Sequence, residues 1–74
     1  LKSGDAAAAL KTFEKAASLS PDKADVHYSI GVAADQAGKP AEALQAFQTY
    51  LRLAPDAADK VTVEGFIDAL SKQP

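Results

Sequence analysis

The chain has 74 residues, 47% of them apolar and 7% aromatic, with 8 basic against 10 acidic side chains and a formal charge of −2. A chain this short buries only about 60% of its unfolded surface, so it makes one small unit of marginal stability in which every helix face matters. Scattered Lys and Arg leave no electrostatic footprint for a phosphate backbone, which argues against nucleic acid as a partner, and the longest apolar run, Ala6 to Leu10, is too short for membrane insertion.

Between Asp5 and Leu19 the residues Ala6, Ala9, Leu10, Phe13, Ala16 and Ala17 recur at helical spacing among good helix formers, so a first helix is expected over 5–19. Ser20-Pro21 ends it, because the residue before proline is pushed out of helical geometry. Asp22 then stands where it would cap a second helix over 23–37, with Asp25 in the first turn and Val26, His27, Ile30, Ala33, Ala34 and Ala37 inward. Gly38 is expected in the left-handed exit position.

Pro40 pre-sets the start of a third helix over 40–53, carrying Ala43, Leu44, Phe47, Tyr50 and Leu51, and the short turn before it makes helices two and three antiparallel neighbours. Gly31 falls mid-helix, where it costs about 1 kcal/mol relative to Ala. Close backbone approach to the third helix is its expected compensation. A fourth helix over 57–71 repeats the capping device with Asp56 and Asp59. It carries Val63, Phe66, Ile67 and Leu70 on one stripe, with Glu64 and Asp68 four apart on another face.

These segments repeat. Ala9-Leu10, Phe13, Leu19, Pro21-Asp22, Ala24-Asp25 and Gly31 return 34 residues later as Ala43-Leu44, Phe47, Leu53, Pro55-Asp56, Ala58-Asp59 and Gly65, and Gly4 and Gly38 keep the same step. A fixed period of this length, built from helix formers and closed by Pro-Asp, marks stacked helical hairpins. The pattern resembles the tetratricopeptide repeat. Ile30-Gly31, Gly38, Ala43, Phe47 and Pro55 stand at that family's signature positions, flanked by Gly4, Ala9, Phe13, Ala16 and Pro21 on one side and Gly65 on the other.

The resemblance implies an all-α solenoid fragment: 1–21 as the second helix of a partial repeat, 22–55 as one complete repeat, and 56–74 as a capping helix. Glu64 and Asp68 hold slots that are apolar in an internal unit, which suits a solvated end and places Pro74 near the end of the array. The opposite end has no such protection. Ala9, Phe13 and Ala16 would meet a helix of which only a Leu1–Gly4 remnant is present, so the chain is expected to be a piece of something longer. That Ala-rich helix would otherwise be covered by another copy, and self-association through it is the alternative function. His27 holds a slot where the family has a large aromatic, and Tyr50 one where it has a small residue. An exchange of volume between the two, within hydrogen-bonding reach, is expected.

Function follows from the same resemblance: a protein–protein interaction module that holds a peptide or helix in its concave groove, not an enzyme. The implied lining is Asp25, Tyr28, Val32, Asp35, Gln36, Asp59, Thr62 and Phe66, with Tyr28 and Phe66 as anchors and the acids favouring basic flanks. Family members that grip the carboxylate tails of heat-shock chaperones use Lys and Asn where Tyr28 and Val32 stand, which argues against that clamp here. No cofactor or metal is implied. His27 has no base or nucleophile beside it in sequence, the aspartate pairs sit at helix starts, and Glu64 with Asp68 make a poor cation site without further ligands. The absence of cysteine fits both the cytoplasm and a bacterial periplasm.

Overall fold

The computed structural model describes residues 3–73. Four helices, α1 (Ser3–Leu19), α2 (Ala24–Gln36), α3 (Pro40–Leu53) and α4 (Lys60–Ser71), follow one another along the chain. Each packs only against its neighbours in sequence: α2 lies between α1 and α3, and α3 between α2 and α4. Stacking side by side, rather than winding round a common centre, gives a slab of 33 × 32 × 17 Å. Leu1, Lys2 and Pro74, on which the expectations about the chain's two ends partly rest, lie outside the described residues.

Local chemistry sets the turns. Gly38 has φ 78°, its amide donates to the Asp35 carbonyl at 3.1 Å, and the Lys39 amide donates to the Ala34 carbonyl at 2.8 Å. Those are the two bonds of a Schellman motif, which occupies carbonyls that the end of α2 would otherwise leave bare. Pro40 follows in the first turn of α3, where its missing N–H costs nothing.

The core runs along the stack as Leu10, Ala33, Ala34, Ala43, Phe47, Tyr50, Val63 and Leu70. Phe47 is its centre. Its ring lies over Gly31, where a Cβ would stand 2.6 Å from Cε1, so the mid-helix glycine is what lets α2 and α3 close on each other. Tyr28 and Phe66 flank the same ring, with centroids 5.7 and 5.3 Å away.

Several expectations are corrected. α1 starts at Ser3, not at Asp5, and so includes Gly4. α2 begins at Ala24 with Lys23 at the N-cap in extended geometry, so Asp22 is one position too early and makes no cap bond. α4 begins at Lys60, not near 57, because residues 55–59 form successive turns closed by Ala57 N–H to Ala54 O and Lys60 N–H to Ala57 O, both 3.1 Å. Asp59 occupies the N-cap position of α4 without capping it. Its carboxylate instead accepts the Tyr50 hydroxyl at 2.7 Å.

His27 and Tyr50 do not pair. A carbonyl can only accept, so His27 Nε2 carries a proton and donates to Pro21 O at 2.8 Å. Tyr50 lies edge-on to Tyr28 at 5.3 Å and 65°. The aromatic that fills out Tyr50's side of the hairpin is thus the neighbour of His27, roughly 100° further round the helix.

Candidate binding groove

Tyr28, Val32, Asp35 and Gln36 fall at i, i+4, i+7 and i+8, one face of α2. Val32 and Gln36 form a ridge between two concavities on that face. One, of about 220 Å³, lies between α2 and α4 and adds Asp35, Phe47, Phe66 and Leu70 to the ridge. The other, of about 390 Å³, lies between α1 and α2 and adds Ala9, Phe13, Tyr28 and Ala33. Both are mainly apolar inside, with polar groups at the edge, the composition expected where a partner's side chains are to be seated.

The structure therefore brings Tyr28, Val32, Asp35, Gln36 and Phe66 to this face, and divides the rest of the expected lining from it. Asp25 and Thr62 are exposed and border neither concavity. The backbone carbonyl of Asp25 accepts the Ser29 hydroxyl at 3.1 Å. Asp59 is committed to Tyr50. Phe66 is 38% exposed while its ring lies tilted against that of Phe47, so it is partly held by the core and partly presented to solvent.

Sequence reasoning missed Phe47, Ala69 and Leu70 as lining of the concavity between α2 and α4, and Ala9, Phe13, Ser29 and Ala33 as lining of the other. A signal for two of them was present: adding the 34-residue step to Asp35 and Gln36 gives Ala69 and Leu70. Phe47 was readable only as core, because nothing local shows that one edge of a 3% exposed ring reaches a cleft.

Electrostatics around the groove centre on Tyr50. The hydrogen bond to Asp59 holds its phenol proton, burial and the charges of Asp59 and Asp25 act in the same direction, and its pKa is pushed up to about 12. The hydroxyl is a lasting donor that ties the start of α4 to α3. Among the described residues no group of three or more His, Asp or Glu side chains could hold a metal ion, and no helix is long and apolar enough to cross a membrane. On the far side of α2, Glu14, His27 and Glu42 share a cleft of about 380 Å³, but the Nε2 proton of His27 is already spent on Pro21.

Residues 1–58 match the tetratricopeptide repeat family. The chain belongs to that family. The match covers α1 to α3 and ends two residues before α4 begins. Neither the curated proteins nor the solved structures give a significant match. Tetratricopeptide repeats are protein–protein interaction modules, typically without catalytic activity, and the helical stack with its concave α2 face is in keeping with that role.

Proposed function

We propose that this tetratricopeptide module binds a segment of a partner protein along the α2 face, an apolar stretch seated against Val32 and Phe66 with basic residues beside Asp35 and Asp25. In this reading residues 22–55 are the complete repeat, 1–21 the second helix of a partial one, and 56–74 the cap that supplies Phe66. The observation that carries it is the pair of concavities meeting at the Val32–Gln36 ridge, one of them walled by the half-presented ring of Phe66 and edged by Asp35. An aromatic group already fixed on one face loses little freedom when a ligand covers the other, which is what an anchor requires.

A displayed peptide library selected on the folded chain tests this. Peptides with an apolar core and flanking Lys or Arg are expected, with Asp35→Lys weakening them on the order of tenfold while the melting curve stays in place, and Phe66→Ala weakening them as much at a lower melting temperature, because its ring also packs on Phe47. Tyr28→Ala is a poorer probe, since its ring also packs on Phe47 and Tyr50. Selected peptides that bind the Phe66→Ala and Asp35→Lys variants as tightly as the parent would remove the groove from the account.

A further inference from the structure

The 34-residue step that relates the helices also relates their contacts. Phe47 on α3 covers Gly31 on α2, with no room for a Cβ between them. One step back, Phe13 holds the slot of Phe47 on α1, yet it is only half-buried and walls the open concavity of about 390 Å³. One step forward, Gly65 holds the slot of Gly31 on α4, exposed, and a Cβ there would meet nothing within 4 Å. Among the described residues there is one closed ring-on-glycine contact and, on α1 and α4, the two open halves of another. We propose that α4 of one copy docks on α1 of a second copy in the antiparallel register that α2 adopts on α3, setting Phe13 over Gly65.

Charge argues for a second copy as the occupant. Within the chain Ile30 shares a cleft with Glu42, Gln45, Ala46 and Thr49 of α3, none of them basic. The same step puts Glu64 in the slot of Ile30, and Lys11, Thr12 and Lys15 in those of Gln45, Ala46 and Thr49. A carboxylate thereby falls opposite two ammonium groups. Asp68, one turn on in α4, takes the slot of Ala34, and Asp5 takes that of Lys39, whose amide donates to the Ala34 carbonyl, so a like-charge pair at that end weakens the contact. The one ion pair among the described residues joins Asp68 to Lys72, so Lys11, Lys15 and Glu64 have none within them. Val61, 80% exposed, takes the slot of His27 along the same seam.

Acids in slots that α2 fills with Ile30 and Ala34 make the contact weak and salt-sensitive. Because it joins unlike surfaces, it leads to an open series of copies and not to a closed dimer. Sedimentation velocity of the 74-residue chain at low salt should give a weight-average mass that rises past the dimer by a concentration on the order of 1 mM and falls back in about 1 M salt. Lys11→Glu with Lys15→Glu, and Glu64→Lys, should each yield a monomer alone. An equimolar mixture of the two should associate again, since every α4–α1 contact in it then joins opposite charges. Gly65→Leu, placed in both variants, fills the seat of Phe13 and should abolish that recovery. A parent chain that stays monomeric throughout, a mixture that fails to recover, or recovery that survives Gly65→Leu would overturn the proposal.

Discussion

Gly31 and Gly65 stand one repeat apart in the same helical slot, so one substitution made at each isolates what packing adds to propensity. At Gly65 a Cβ meets nothing within 4 Å, and Gly65→Ala should stabilise the dilute monomer by about 0.5–1 kcal/mol, the ordinary gain for removing a helical glycine. At Gly31 the same Cβ stands 2.6, 2.7 and 2.8 Å from three carbons of the Phe47 ring. Carbon–carbon contact is comfortable at about 3.5–4 Å, so the ring must retreat by close to 1 Å. It has little room to do so: Phe47 is 3% exposed and held between Tyr28 and Phe66. Overpacking of this kind costs about 1–3 kcal/mol, which outweighs the helical gain and leaves Gly31→Ala destabilised by roughly 1 kcal/mol.

The two variants should differ by about 2 kcal/mol, or on the order of 10 °C in melting temperature for a domain of this size. Thermal and urea unfolding followed by far-ultraviolet circular dichroism reads this directly. In a Phe47→Leu background the penalty at Gly31 should largely vanish, giving a coupling energy of at least about 1 kcal/mol. Equal shifts at the two glycines, or no coupling to Phe47, would refute the packing argument.

Tyr50 and Gly38 carry the remaining predictions. With a folded pKa of about 12 against 10.0 for an unperturbed phenol, the native state holds its proton after the unfolded chain has released it, so this contribution is intact below pH 10 and is lost as pH rises toward 12. Tyr50→Phe should lower stability at neutral pH and flatten the decline between those values in a series of melts; an unchanged alkaline slope would show that Asp59 does not hold the phenol. Gly38→Ala forces a side chain into φ 78° and should cost about 1–2 kcal/mol, seen as a lower urea midpoint with an unchanged m value, with Gly38→Asn milder.

Much of the stack was legible because its determinants are local or periodic. Proline before a turn, glycine with a positive φ and apolar residues at helical spacing act within a few residues, and the 34-residue step then says which helices share a geometry. That was enough to pair Gly31 with the third helix and to leave Glu64 and Asp68 exposed.

What the linear chain left open is the rotation of each helix about its axis and the use of side chains that have two nearby partners. Adjacent residues differ by about 100° around a helix, so a modest rotation decides whether His27 or Tyr28 meets Tyr50. Asp59 had a cap and a phenol within reach; the phenol took it, and α4 starts without a side-chain cap. The groove divides for the same reason. Val32 and Gln36 become a ridge, and Phe47 shows an edge between helices, only when α1 has packed on α2 and α4 on α3, since a concavity belongs to the surfaces that meet and to no one segment.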